Sequence, residues 1–458
     1  MTKVPFSLPL IDDAVQAEVN DCLTNTGWLT TGPKVRQLEE EVKKLCGAKA
    51  ALCVNSWTSG AMLMLRWFDI GPGDEVIIPA YTYSATALCV MNIGAKPVMV
   101  DVGDDFNIAL KNIRAAITSK TKAILPVDVG GYPCDYDRIM ELVNEVFEPS
   151  GETGSETSGT KVKRHRKPLF LLRENFSSNG TAVSEKIAPK VQFKAKSERQ
   201  KKLGRPLVLA DAAHSIGALY KGRPAGTLAD VTVFSLHSVK NITTGEGGCI
   251  CLNLPHPFDN QAEYQFLKAF ALNGQTKSAF EKNQPGAWRY DIIAQGLKVN
   301  MPDICAAIGL AQIRKYESEL LPERKRIFTQ YNEAFSQYDW AILPPFEQGD
   351  TVSSCHLYML RITGIGEEER DEIIRLISEK GVGVNVHYIP MAMLTLFINK
   401  GYDIADYPNT YRLYANEISL PIYNGLTEEQ VAYVIEAVVD GVEKVMARSF
   451  VMEQVPSE

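Results

Sequence analysis

The first half of the chain alternates short apolar segments with amphipathic ones, and no other feature constrains the fold as strongly. The apolar segments are predicted strands at residues 50–55, 75–80, 96–102, 122–129, 206–211, 230–236 and 247–253. Segments with helical periodicity, such as TSGAMLMLRWF at 58–68, separate the first four. Because helices that connect strands cover both faces of a parallel sheet, we predict an α/β fold with a mainly parallel central sheet.

The pattern of apolar and polar residues changes near residue 255. Beyond it, long amphipathic helices are predicted, with 301–321 as the clearest and 427–446 as the last. The last helix begins with the capping-box residues Thr427 and Gln430. We therefore predict a large α/β domain at 1–255 and a smaller C-terminal α+β domain at 256–458.

Residues 149–205 interrupt the alternation. They begin with the turn-rich stretch EPSGETGSETSGT and continue with the basic run KVKRHRK and a polar, lysine-rich stretch. Such a composition is typical of a partly mobile insertion in the large domain. The basic run either is solvated or attracts an anionic partner.

The composition argues against nucleic-acid and membrane partners. A formal net charge of −7 gives no general affinity for nucleic acid. No apolar run approaches about 18 residues, so no transmembrane helix is expected, and the first residues lack the apolar core of a secretory signal. The nine cysteines are scattered, which indicates reduced thiols in a cytoplasmic protein and no metal site.

Polar and aromatic side chains follow the predicted strands, and ligands bind beyond the carboxyl ends of parallel strands. Thr58 and Ser59 open a helix after the first strand, where backbone N–H groups bind phosphate, although plain helix capping also explains these two residues. Tyr81 and Tyr83 follow the second strand, and they either stack on a flat ligand or belong to the core.

Two later strand ends carry ionisable side chains. Asp211 ends one strand, either as the partner of a cation or as a helix cap, and His214 lies near the same edge. Ser235 and Lys240 follow the next strand, before the glycines of TTGEGG at 243–248. A phosphate cup, a stacking ring, a carboxylate and an amine together match one ligand, pyridoxal 5′-phosphate (PLP).

The sequence resembles the DegT/DnrJ/EryC1/StrS family of PLP-dependent sugar aminotransferases. The stretches that carry the resemblance are GWLTTGPKVRQLEEEV (27–42), IGPGDEVIIPAYTYSATA (70–87), GAKPVMVDV (94–102) and, most specifically, ADAAHSIGALYKGRPAGTLADVTVFSLHSVKNITTGEGG (210–248). The stretches YDIIAQGLKVNMPDICAAIGLAQI, VNVHYIP and SLPIYNGLTEEQVAYVIEAV complete the resemblance. The resemblance extends over nearly the whole chain except 149–205. It implies the fold-type I aminotransferase architecture, with PLP as cofactor.

The resemblance also implies an activity and residue roles. The amino donor is expected to be glutamate, and the acceptor a keto group, expected at C4, of a nucleotide-linked deoxysugar. The catalytic residues are Lys240, which forms the Schiff base and then carries a proton, and Asp211, which pairs with the pyridine nitrogen. The other cofactor contacts are implied for Thr58, Ser59 and Ser235 at the phosphate, Tyr83 on the ring face and His214 near the ring oxygen.

Part of the phosphate site in this family comes from the other subunit, through an asparagine in a segment like GYNYRM. Here the segment reads GLKVNM at 296–301, with Lys298 and Asn300 in place of the family's Asn and Arg. We therefore expect a homodimer with the active site at the subunit interface, where Lys298 or Asn300 reaches across to the phosphate of the cofactor.

Two other functions stay open on the sequence alone. One is a PLP-binding regulator or a sugar dehydratase on the same fold, and the intact Lys240 and Asp211 argue against it. The other is a non-enzymatic α/β binding module. The biosynthesis of an envelope polysaccharide, such as lipopolysaccharide, or of a glycosylated natural product is equally compatible with the resemblance.

Overall fold

The computed structural model describes residues 4–148 and 190–453. A seven-stranded sheet forms its centre, in the order β1-β7-β6-β5-β4-β2-β3. The strands are β1 Ala50–Val54, β2 Glu75–Pro79, β3 Lys96–Val100, β4 Thr121–Ile124, β5 Leu207–Asp211, β6 Val231–Ser235 and β7 Gly248–Leu252. All neighbours are parallel except the two pairs that contain β7. The predicted α/β fold with a mainly parallel central sheet is confirmed.

Fifteen α-helices occur in the described residues. They are α1 Asp13–Asp21, α2 Pro33–Cys46, α3 Trp57–Trp67, α4 Ala85–Asn92, α5 Leu110–Ala116, α6 Tyr136–Val146, α7 Glu198–Leu203, α8 Asn260–Phe270, α9 Ala279–Lys282, α10 Asp303–Ile313, α11 Leu321–Phe335, α12 Glu367–Glu379, α13 Thr395–Ile398, α14 Pro408–Ala415 and α15 Glu428–Glu453. None of these helices is long and apolar enough to span a bilayer.

The strands of the central sheet are apolar because helices cover them. All five residues of β1, β5, β6 and β7 are buried. Helices α2, α3 and α8 pack on β1 and its neighbours. A strand buried in this way consists of a continuous apolar run rather than an alternating one, and this is the pattern that the sequence contains.

A second hydrophobic core lies in the C-terminal part of the chain. Its sheet is antiparallel, with the order β8 Ala341–Ile342, β9 Tyr358–Ile362 and β10 Glu417–Leu420. Helices α11, α12 and α15 supply much of the rest of this core. Val4, near the start of the chain, also packs in it, and its N–H donates to the carbonyl of Gly381 at 3.0 Å.

The predicted division at residues 255 and 256 stays a prediction. Helices α8 and α10 follow that position in the chain, yet their apolar residues belong to the core of the central sheet. Four two-residue strands, Leu219–Tyr220, Arg223–Pro224, Glu347–Gln348 and Thr351–Val352, join the two halves of the chain in one small sheet.

The predicted insertion at 149–205 lies mostly outside the described residues. Its last part, 190–205, is described and packs on the fold. Val191–Gln192 pairs with Phe147–Glu148, and Gln200 in α7 is buried and donates to the carbonyl of Phe68 at 2.7 Å. This packing could not be predicted from the lysine-rich composition, because few side chains of the segment are buried.

Candidate active site

A cavity of about 540 Å³ lies beyond the carboxyl ends of β2, β5 and β6. Six residues that the sequence predicts to bind the cofactor line it: Thr58, Tyr83, Asp211, His214, Ser235 and Lys240. The C-terminal part of the chain adds His356, His387 and Tyr388, and Phe6 lies at the same wall. The parallel strands therefore bring together residues that are far apart in the sequence, as the strand-end argument predicts.

Lys240 projects into this cavity from the loop after β6. Its backbone N–H donates to the carbonyl of His237 at 2.9 Å, and the side chain of the next residue, Asn241, is anchored on Tyr316 and Ser354. Burial lowers the pKa of Lys240 to about 8, although the charge of Asp211 acts in the opposite direction. Within the described part of the chain, Nζ makes no hydrogen bond, so this amine is available to a ligand.

Asp211 is a buried carboxyl group at the end of β5. Its Oδ2 accepts a hydrogen bond from Thr86 at 2.8 Å, and its Oδ1 accepts one from the N–H of Ala213 at 3.3 Å. Burial raises the pKa of Asp211 to about 7. No ion pair to this carboxyl group occurs among the described residues, so a cationic ligand atom would stabilise its ionised form.

The tautomer of His214 follows from its two hydrogen bonds. Its Nδ1 accepts from the N–H of Gly130 at 3.3 Å, so Nε2 carries the proton. Nε2 lies 2.9 Å from the hydroxyl of Tyr388. Burial lowers the pKa of His214 well below its usual value, and the positive charge of Lys240 acts in the same direction. A neutral His214 therefore directs its one N–H to the hydroxyl of Tyr388 at the cavity wall.

The helix α3 begins at the floor of the cavity. Ser56 caps it, and its Oγ accepts from the N–H of Ser59 at 3.0 Å. The hydroxyl of Ser59 bonds to that of Ser56 at 2.9 Å, so Ser59 supports the cap while Thr58 and Ser56 line the cavity. Gly248 permits β7 to approach closely, since a Cβ there would lie 2.7 Å from the backbone nitrogen of Trp57.

The two tyrosines after β2 have different surroundings. Tyr83 is 63% exposed and lines the cavity, with its ring centroid 6.0 Å from that of Tyr388. Tyr81 is completely buried and packs on Phe106. Of the two, Tyr83 alone can reach a ligand in the cavity.

Lys298 and Asn300 lie outside this cavity. The Lys298 ammonium donates to Oδ1 of Asn300, and the amide of Asn300 donates to the hydroxyl of Thr31 at 2.6 Å. Lys298 is exposed, and Asn300 pairs with Val54 at the end of β1. The structure therefore does not bring these two residues to the cavity of their own chain.

Several lining residues were not singled out from the sequence. They are Ser56, Thr86, His356, His387 and Tyr388. Thr86 lies on α4 and holds Asp211, and no residue pattern links it to β5. His387 and Tyr388 belong to the segment VNVHYIP, which contributes to the family resemblance, and this was the one available signal for them.

The chemistry of the cavity fits PLP. An amine, a buried carboxyl group and the capped start of a helix lie around one space, and each is complementary to one group of the cofactor. The indole N–H of Trp57, the first residue of α3, is buried without a hydrogen-bond partner among residues 4–148 and 190–453. A phosphate oxygen at the helix start would satisfy it. No group of three or more metal-ligating side chains occurs in the described ranges.

Comparisons with known proteins agree with this chemistry. The model of the DegT/DnrJ/EryC1/StrS aminotransferase family matches residues 9–147 and 201–439. The spore coat polysaccharide biosynthesis protein SpsC of Bacillus subtilis is 33% identical over 95% of this chain and 96% of its own length. The segment left out by the family model, 148–200, largely coincides with the predicted insertion.

Solved structures of aminotransferases are also similar to this chain. The putative sugar aminotransferase Spr1654 from Streptococcus pneumoniae, in its PLP-form, is 36% identical, with a TM-score of 0.83 over 97% of this chain and 100% of that one. Helicobacter pylori PseC, an aminotransferase involved in the biosynthesis of pseudoaminic acid, has a TM-score of 0.75 at 22% identity over 97% of this chain and 100% of that one. The second likeness concerns the fold alone.

Proposed function

The chain belongs to the DegT/DnrJ/EryC1/StrS family of PLP-dependent sugar aminotransferases, and we propose that it moves an amino group from glutamate to the C4 keto group of a nucleotide-linked deoxysugar. One observation carries this proposal. A single cavity holds an amine whose pKa is lowered to about 8, Lys240, and a buried carboxyl group without an ion-pair partner among the described residues, Asp211.

Each group of PLP has a residue to hold it. Lys240 would bind the aldehyde carbon covalently, and Asp211 would hold the pyridine nitrogen in its protonated form. His214 would lie near the ring oxygen, and Tyr83 would cover a ring face. Thr58 and Ser235 would bind the phosphate at the start of α3, with Ser59 in support through Ser56.

Bound PLP supplies an electron sink for the charge left when a proton leaves the carbon atom that bears the amino group. Asp211 maintains this property, because an ionised carboxylate beside the pyridine nitrogen favours the protonated ring. Its hydrogen bond from Thr86 fixes the direction of the carboxyl group. The pairing would also lower the pKa of Asp211 from about 7, a value raised mainly by burial.

Lys240 would move the proton of the reaction. Once the amino donor replaces it, the free amine would remove the proton from the donor's α carbon and return it to the aldehyde carbon of the cofactor. A pKa of about 8 suits both steps, since the amine then binds and releases protons near neutral pH.

The rate at which cofactor-free protein regains PLP is expected to rise with pH and to level off above about 8, because only neutral Lys240 is a nucleophile. Asp211 raises the pKa of Lys240, so Asp211→Asn is expected to shift the midpoint to lower pH. Stopped-flow absorbance of the visible cofactor band measures both rates. A midpoint that is unchanged in the variant would contradict the coupling of the two groups.

Lys298 and Asn300 would complete the phosphate site of a partner subunit in a homodimer. Both lie outside their own cavity, and Lys298 is exposed. Exposed apolar side chains precede them in the chain: Trp288, Tyr290, Ile292 and Ile293. Apolar side chains exposed in such a group are typical of an interaction surface.

Complementation between inactive variants tests the shared site. Lys240→Ala is mixed with Lys298→Ala/Asn300→Ala after mild dissociation and reassociation. Heterodimers are expected to contain one intact site, so the mixture should recover part of the activity that neither variant has. Reassociated samples of each variant alone are the controls, and a mixture no more active than these would contradict a shared site.

Nucleotide keto sugars with glutamate are the direct test of the proposed function. The segment GLKVNM resembles the C4 branch of the family, and SpsC is named for polysaccharide biosynthesis. We therefore propose a cytoplasmic enzyme that supplies amino sugars for an envelope polysaccharide, lipopolysaccharide included. A panel of 4-keto and 3-keto sugars, with NMR of the products, should give amination at C4, and reaction with 3-keto sugars alone would contradict this position.

A further inference from the structure

Three residues of the C-terminal part of the chain form hydrogen bonds in series, and the series ends in the active-site cavity. His387 Nδ1 lies 2.9 Å from Ser419 Oγ, and Ser419 Oγ lies 2.5 Å from Glu417 Oε1. The backbone N–H of His387 donates to Glu417 Oε2 at 3.0 Å, which holds the loop against β10. Glu417 and Ser419 are completely buried, whereas His387 lines the cavity.

His387 has one polar ring atom left for a ligand. Phe6 stacks on the ring, with centroids 5.4 Å apart, and Ser419 occupies Nδ1. Nε2 has no hydrogen-bond partner in the described part of the chain. Burial lowers the pKa of His387 to about 3, and the positive charge of Lys240 adds to this effect. The ring is therefore neutral near pH 7 and carries a single proton, whose position depends on Ser419.

Glu417 is a buried carboxyl group that forms no ion pair among the described residues. The neighbouring cation, Arg370 on α12, donates to the backbone carbonyls of Tyr414 at 2.7 Å and of Glu417 at 3.4 Å instead. Tyr81 and Tyr388 are the other titratable groups beside it. Burial raises the pKa of Glu417 to about 8, so this carboxyl group changes its protonation state near neutral pH.

The series has two proton arrangements. When Glu417 is ionised, Ser419 donates to it, His387 donates from Nδ1 to Ser419, and Nε2 is an acceptor. When Glu417 is protonated, both hydrogen bonds reverse, so that Nδ1 accepts and Nε2 carries the proton. The charge of a buried carboxyl group thus decides whether the cavity contains a donor or an acceptor at His387.

We propose that Glu417, Ser419 and His387 are a proton relay for transamination, in which Glu417 is a positioning residue that acts through the other two. The relay rests on the proposed function, because there a keto sugar loses its oxygen as water. The N–H bond at Nε2 breaks as an O–H bond forms on the leaving oxygen. Ser419 passes its proton to Nδ1, and Glu417 passes its proton to Ser419.

One proton leaves the relay in this step, and Glu417 is ionised at its end. The half-reaction with the amino donor consumes water and releases a keto acid, and there the relay takes a proton back at Nε2 by the reverse transfers. Protons therefore balance over the full cycle, and no electrons are exchanged with the relay.

Infrared difference spectra of the PLP-bound protein through a pH titration test the Glu417 end of the relay without any sugar. The wild-type protein is expected to show the carbonyl stretch of a protonated carboxyl group with a midpoint near 8, and Glu417→Gln is expected to lack it. Glu39→Gln is the matched control. Glu39 is also buried, with a pKa raised to about 7 by burial, and lies outside the cavity.

This control should retain the band assigned to Glu417. A Glu417→Gln titration identical to that of the wild-type protein would overturn the relay.

The His387 Nε2 end of the relay is tested by rapid kinetics, in which protein whose cofactor already carries the amino group reacts with a keto sugar. The wild-type rate should fall as pH rises through about 8, because ionised Glu417 leaves no proton to donate. Glu417→Gln and Ser419→Ala are each expected to lower the maximal rate on the order of 10²-fold and to keep the wild-type KM. In both variants the fall in rate at high pH, the alkaline limb of the pH–rate profile, should disappear. Glu39→Gln should retain the limb.

The outcomes separate the relay from the function on which it rests. If no nucleotide keto sugar reacts with the wild-type protein, the proposed function fails, whatever the infrared result. If the wild-type protein reacts and the limb persists in Glu417→Gln, the relay fails alone. A purely structural role would lower thermal stability or raise KM and leave the limb in place, which also overturns the relay. Ser419→Ala decides the kinetic test should Glu417→Gln not fold.

Discussion

Lys240→Ala should abolish turnover, with a loss on the order of 10⁴-fold or more. The variant lacks both the amine that binds the cofactor and the group that moves the proton. The fold should survive, because Nζ has no hydrogen bond among residues 4–148 and 190–453, and a change within about 1 kcal/mol in the free energy of unfolding is expected. Steady-state assays with glutamate and a nucleotide keto sugar, together with urea unfolding, measure the two effects.

Lys240→Arg is the control for this prediction. It keeps a positive charge beside Asp211 but cannot bind the aldehyde, so it should be as inactive as the alanine variant. Substantial turnover by either variant would contradict the role assigned to Lys240.

Asp211→Asn should slow the proton-transfer step on the order of 10²-fold or more, since the ring nitrogen loses a buried, charged partner. The asparagine keeps the size of the side chain and can still accept from Thr86, so the loss concerns the charge. Single-turnover decay of the visible cofactor band with glutamate measures this step.

Asp128→Asn is the matched control. Asp128 is also buried, and burial raises its pKa to about 6, but it bonds to Ser215 and Tyr136 and does not line the cavity. Its variant should retain the proton-transfer rate far better than Asp211→Asn. Equal rates in the two variants would show that the pairing of Asp211 with the ring nitrogen is not what accelerates the step.

The central sheet was predictable because its strands are continuous apolar runs with helices between them. The seven predicted segments overlap β1 to β7, and the fourth is the least accurate, because β4 ends at Ile124 while the apolar run continues to residue 129. The antiparallel direction of β7 was not predicted. This direction depends on how the chain returns to β1 after Lys240, and the spacing of apolar residues contains no information about that path.

The strand-end residues of the site were predictable for a related reason. Asp211, Ser235 and Lys240 sit at ends of neighbouring parallel strands, so topology alone brings them together. His356 and His387 reach the same cavity from the C-terminal part of the chain. Their approach depends on how that part packs against the central sheet, and a single sequence does not encode this packing in any local pattern. The orientation of Ser59 toward Ser56 likewise depends on the exact start of α3.

The covalent link between Lys240 and PLP is the central claim, and borohydride reduction followed by peptide mass spectrometry tests it most directly. Reduction of the native, cofactor-loaded protein should fix a phosphopyridoxyl group on the peptide that contains Lys240, and prior treatment with glutamate should prevent this labelling. A label on another lysine, or no label on a protein that binds PLP, would contradict the account.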